Sequence, residues 1–73
     1  MMQRYDLTIK ANKRPETLER ILRVIRHRGF EVLNLQAVNS GEEIAIQLTL
    51  QSQRDISLLT AQLEKLFDVL AVS

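Results

Sequence analysis

The stretch PETLERILRVIRHRGF, from Pro15 to Phe30, decides how the rest of the chain is read. Proline suits the first position of a helix, where its missing N–H would have had no intrahelical partner anyway. Glycine suits the position just past the end, where the backbone often turns left-handed, so Gly29 marks the stop. Between them Leu18, Ile21, Leu22 and Ile25 recur at helical spacing and make one apolar stripe. Phe30 follows the glycine and is placed to fold back onto that stripe. Glu16 and Arg20, and Glu19 and Arg23, stand one turn apart with the acid first, the better orientation. Arg26, His27 and Arg28 fall in the last turn, where positive charge opposes the helix dipole.

Working outward, Tyr5, Leu7, Ile9 and Ala11 alternate with Asp6, Thr8 and Lys10, the pattern of a half-buried strand before the helix. After Gly29 a second strand runs from about Glu31 to Val38. Strict alternation there puts Val32 on one face and Leu33, Leu35 and Ala37 on the other. Such a strand is central in a sheet or covered at an interface; Leu33, Leu35 and Ala37 either face the helices or, with Val32 facing them, are the candidate interface set. Asn39-Ser40-Gly41 signals a hairpin turn. Ile44, Ile46, Leu48 and Leu50 then alternate with polar or small residues in a third strand. Ser52 to Asp55 fits a capping box ahead of a second helix, with Ile56, Leu59, Leu63 and Leu66 as its stripe. Asp68 breaks that pattern, and Val69 to Val72 is a short last strand. The order β-α-β-β-α-β is the split βαβ arrangement of ferredoxin-like α+β folds, a four-stranded antiparallel sheet with both helices on one face.

The 73 residues make one domain, 1–73, with 45% hydrophobic and 26% charged residues, proportions of a folded globular chain. A core this small is worth roughly 3–5 kcal/mol, and domains of this size often add disulfides, a metal or a partner. The chain has no cysteine, which excludes disulfides and thiolate metal sites and leaves association as the expected support. A net charge of +1 gives no electrostatic case for nucleic acid or an anionic membrane. No apolar run is long enough for a membrane span, and no signal-peptide pattern opens the sequence, so a cytoplasmic location is expected.

No catalytic constellation is present. With one histidine and no cysteine, Ser-His and Cys-His dyads lack support, and His27 has no acid or second histidine one turn away to share a metal. His27 fits a helix end. Arg20, Arg23, Arg26 and Arg28 interleave with glutamates and read as a solvated helix face. Only Gly29 and Gly41 exist, too few for a phosphate-cradling loop. An RNA-binding module on this fold would display sheet aromatics, and the chain has only Tyr5, Phe30 and Phe67. The residues themselves define a small binding or oligomerisation domain with no catalytic and no metal site.

Two segments carry a resemblance. LERILRVIRHRGFEVLNL, Leu18 to Leu35, resembles the first helix and second strand of ACT domains, ferredoxin-like sensing modules of amino-acid metabolism. QLEKLFDVLAV, Gln62 to Val72, is similar to the Q-L-x-K-L-x-D-V-x-x-V ending of the small subunits of acetolactate synthase (acetohydroxyacid synthase), those of the isozyme II type above all. The resemblance implies a non-catalytic regulatory subunit that activates and stabilises a thiamine-diphosphate-dependent large subunit in branched-chain amino-acid biosynthesis. Thiamine diphosphate, Mg and FAD would belong to that partner, and none to this chain. It also implies a homodimer of ACT domains side by side, with effectors such as valine near the loop between the first strand and first helix. On this chain that loop is Lys13, Arg14, Glu16 and Thr17, with Glu31 added after the Gly-aromatic pair.

The chain departs from the valine-sensing pattern at two of these positions. Sensing members carry a small residue, usually glycine, where Glu16 stands, and an asparagine where Glu31 stands. A glycine at a helix start lets a ligand carboxylate reach backbone N–H groups, whereas Glu16 brings its own carboxylate to those donors. The resemblance with these departures implies activation with little or no response to valine. Two other readings stay open: a free-standing ACT-type amino-acid sensor, and a small ferredoxin-like acylphosphatase, against which the Asn12-Lys13-Arg14 loop lacks the glycines to wrap a phosphate.

Overall fold

The computed structural model describes the whole chain, Met1–Ser73. Its elements are β1 (Gln3–Asn12), α1 (Thr17–His27), β2 (Glu31–Ser40), β3 (Glu43–Ser52), α2 (Ile56–Glu64) and β4 (Val69–Val72). The strands form one sheet in the order β2-β3-β1-β4, every neighbouring pair antiparallel. This is the ferredoxin-like arrangement expected from the pattern. Leu7, Ile9 and Ala11 of β1 and Ile46, Leu48 and Leu50 of β3 point to one face. There they meet Ile21 and Ile25 of α1 and Leu59 and Leu63 of α2, which together with Phe30 form the core. The two most alternating strands of the sequence are thus the two central strands of the sheet.

α1 ends as the sequence predicts. Gly29 has φ +87°, its N–H donates to Arg26 O, and the Phe30 N–H reaches back to Ile25 O at 3.1 Å. That pair of bonds is a Schellman motif, and Phe30 beyond it is 3% exposed against the core. The start of α1 differs. Pro15 and Glu16 form a turn, and the helix begins only at Thr17, so the proline precedes the helix instead of opening it. The cause is tertiary: the Thr17 side chain is drawn under the end of β1 and is 1% exposed. Of the two expected helix pairs, Glu16 and Arg20 approach to 3.8 Å, while Arg23 forms no ion pair.

The capping box is also corrected. Ser52 closes β3, where its hydroxyl donates to Gly29 O and accepts from the Arg54 N–H. Asp55 is the N-cap of α2 and accepts from the Ser57 N–H at 2.9 Å. That backbone bond, with the Ser57 hydroxyl, holds the Asp55 carboxyl below the ordinary value of 3.8. A depressed folded-state pKa contributes stability that is fully present above the unfolded value and is lost as pH falls through the folded one. Asp55→Ala is therefore expected to lower the urea midpoint at neutral pH, and the two midpoints are expected to converge below pH 3.8. A gap that persists unchanged in acid would rule out the charged cap as its source.

The largest correction concerns β2. Val32 pairs with Leu50 and Asn34 with Thr49, so Leu33 is an extra residue, a β-bulge. The bulge resets the alternation: Leu35 and Ala37 pair with Leu48 and Ile46 and share the helix-covered face with Val32, whose partner Leu50 is in the core. The expected single set of Leu33, Leu35 and Ala37 on the opposite face therefore does not exist. β2 is moreover not central but the edge of the sheet.

Candidate functional site

The loop from β1 to α1 is built on one buried carboxylate. Asp68, in the turn from α2 to β4, is 1% exposed. Its main chain is tied to β1, the Asn12 N–H donating to Asp68 O at 2.8 Å. Its Oδ2 accepts from the Arg20 guanidinium and lies 3.1 Å from the Thr17 hydroxyl, which also reaches Asn12 O at 3.0 Å. Oδ1 is buried with no hydrogen-bonding partner. An unpaired buried carboxylate oxygen is costly, so the ion pair with Arg20 is what makes the charge tolerable there. This network joins the end of β1, the first turn of α1 and the start of β4, and so fixes the shape of the loop.

Above the network the surface is basic and aromatic. Phe67 is 72% exposed, with the Arg20 and Arg14 guanidinium carbons 5.3 and 5.9 Å from its ring centroid, within cation–π range. Lys13 is bound through its N–H to Glu42 O, and with Arg14 it flanks a shallow hollow closed by Gly41 and Glu42. Gly41, at φ +63°, takes the first central position of the β2–β3 hairpin turn, where glycine is at ease.

Of the candidate loop residues, Lys13, Arg14, Glu16 and Thr17 are brought together. Thr17 is structural in this chain, its hydroxyl spent within the network. Glu16 does not sit on the first-turn donors of α1. Its carboxylate turns along the helix to Arg20, and the helix start has no side-chain cap. The Thr17 N–H donates to Arg14 O at 3.1 Å, which leaves the Leu18 and Glu19 N–H groups to water or a ligand, with a half-exposed carboxylate close by. Glu31 stands elsewhere. It pairs with Gln51 at the far end of β3 from the Asn12–Glu43 pair and accepts from Gln51 Nε2 at 2.8 Å. Within one chain Glu16 and Glu31 do not form one site. Arg20, expected on a solvated helix face, is instead bound to Asp68, which the sequence shows only as the acid that ends the second helix pattern inside the apolar run LFDVLAV.

The chain is thus a βαββαβ unit with a basic, uncapped helix start at one end and an unpaired edge strand. No group of His, Cys, Asp or Glu side chains is placed to hold a metal ion. No helix is long and apolar enough to cross a membrane. The ACT domain family matches residues 13–72. The chain is 46% identical to the acetolactate synthase isozyme 2 small subunit of Escherichia coli (strain K12), over 99% of this chain and 85% of that protein. Among solved structures, the ACT domain from GTP pyrophosphokinase of Chlorobium tepidum superposes with a TM-score of 0.86 at 13% identity, covering 100% of this chain and 97% of that one. The acetolactate synthase small subunit from Thermotoga maritima gives a TM-score of 0.80 at 13% identity over 97% of this chain and 46% of that one. At such identities these two likenesses speak to the fold alone.

The chain is an ACT domain, and it belongs to the family of acetolactate synthase small subunits. A regulatory, non-catalytic role goes with that membership.

Proposed function

We propose that this chain is the regulatory subunit of an acetolactate synthase, binding a catalytic large subunit and raising its activity, with little or no response to valine. The 46% identity along almost the whole chain carries the first part. The acid at the start of α1 supports the second: a ligand carboxylate approaching the Leu18 and Glu19 N–H groups meets Glu16, and like charges repel. Thiamine diphosphate, Mg and FAD belong to the large subunit in this reading, which works in the cytoplasm.

The subunit acts as a homodimer joined along β2. From Val32 to Ser40 this edge strand has no charged residue and no proline, the usual devices that keep an edge from pairing. Beside it runs a hollow lined by Leu22, Phe30, Val32 and Leu35 and flanked by Arg26 and Glu31. A second β2 laid alongside would satisfy the free backbone groups and cover that hollow. The interface set then becomes Leu35 and Ala37 on the helix side, with Leu33 at the bulge.

The test is acetolactate formation by the cognate large subunit, with and without this chain, each with added valine. Strong activation that valine leaves unchanged is expected, and Glu16→Gly is expected to introduce a valine response. Activation that valine abolishes in the wild type would discard the reading of Glu16. Absence of activation, with valine or leucine binding to the isolated chain, would make it a free-standing amino-acid sensor, for which the uncapped start of α1 is the supporting feature.

A further inference from the structure

A net charge of +1 conceals a separation of charge between the two layers. Residues 13–28 and 53–68, which hold the helices and their turns, carry eight Lys and Arg against five Asp and Glu. The strands and their hairpin carry two against four. The excess is concentrated in a groove of about 350 Å³ between the helices. Arg23, His27, Arg28 and Lys65 line it over Val24 and Leu66, and no carboxylate does. Nothing within the chain neutralises Arg23, Arg28 or Lys65: its ion pairs are those of Arg20 with Glu16 and Asp68. Like charges gathered around one groove repel, and they lose that repulsion when carboxylates enter.

We propose that this groove docks an acidic segment of the catalytic large subunit, its carboxylates on Arg23, Arg28 and Lys65 with the His27 ring beside them, and its aliphatic side chains on Val24 and Leu66. The proposal rests on the regulatory-subunit reading above. A charge-assisted contact with arginine is directional and strong, and the aliphatic floor suits a peptide. A nucleic acid strand would instead call for aromatic platforms to stack its bases, and the groove has none. Placing the contact on the helix layer leaves the β2 edge free for the second copy, so dimerisation and docking do not compete.

The experiment titrates the full-length large subunit with wild-type chain, Arg23→Glu/Lys65→Glu, and Lys10→Glu, a charge reversal of the same sign on the open face of the sheet. Binding is read by calorimetry and activation by acetolactate formation. Arg23→Glu/Lys65→Glu is expected to raise the concentration for half-activation at least tenfold while reaching the same plateau, and Lys10→Glu to match the wild type. Added salt is expected to weaken the wild type and to affect the double variant less. Equal binding by wild type and double variant would overturn the groove and leave the regulatory reading standing. Failure of the wild type itself to bind would overturn both. A fluorescein-labelled oligouridylate bound by the wild type and not by the double variant, with large-subunit binding intact in both, would assign the groove to nucleic acid and overturn the proposal.

Discussion

Arg20→Ala is expected to cost the isolated domain about 3 kcal/mol, at the lower end of what removing one partner of a buried ion pair costs. The asymmetry of the pair decides which partner matters more. The Arg20 side chain is 30% exposed and can return to water when its partner is lost, whereas that of Asp68 is 2% exposed and cannot. Removing the guanidinium strands a charge whose second oxygen already lacks a partner. For a domain of this size that loss corresponds to a fall in Tm on the order of 15 °C. Adding Asp68→Asn to Arg20→Ala is expected to recover more than half of it, because the neutral amide has no charge to strand. Urea or thermal melts of the four corners of this cycle give the answer. A single Arg20→Ala within 1 kcal/mol of wild type would mean that the network shapes the loop without holding the fold.

Leu35→Asp is expected to weaken self-association by about two orders of magnitude, read by sedimentation equilibrium. The estimate combines the apolar contact of a leucine with the cost of bringing a carboxylate against an apolar partner surface, together about 3 kcal/mol. Leu35 also packs on the core, so the substitution could act by unfolding the edge strand. Ala37→Lys separates the two effects. Its side chain is exposed on the same strand and takes nothing from the core, and it is expected to shift the equilibrium in the same direction. Leu58→Asp, exposed on α2, is expected to leave it unchanged. A wild-type chain that stays monomeric throughout, or an Ala37→Lys variant that dimerises like wild type, would remove β2 as the interface.

Legibility followed the range of the interactions. The Schellman turn at Gly29-Phe30 was readable because its bonds run between residues no more than five apart. The strand from Ile44 to Leu50 was readable because one buried face imposes strict alternation on its own residues. The bulge at Leu33 was not, because an extra residue exists only relative to the strand it pairs with, and VLNLQAV has no glycine to announce it. The site divided in the same way. Lys13, Arg14, Glu16 and Thr17 are grouped by the resemblance and share one loop, while Arg20 and Asp68 lie 48 residues apart. Glu31 was joined to Glu16 by resemblance, and the register of the sheet separates them within one chain.

By itself, then, the sequence determined the order and kind of the elements, the core faces of β1, β3 and α1, the absence of cysteine chemistry, and the family. The family follows from resemblance of two segments to known ones, and the rest from local periodicity, local turns and residue identity. Only the tertiary structure decided that β2 is an edge with its alternation reset, that a buried Asp68 shapes the start of α1, and that Arg23, Arg28 and Lys65 of a nearly neutral chain meet in one groove between two helices. Each of these depends on which residues distant in the chain become neighbours in the sheet and the helix layer, and pairing of that kind is settled by packing of the whole domain.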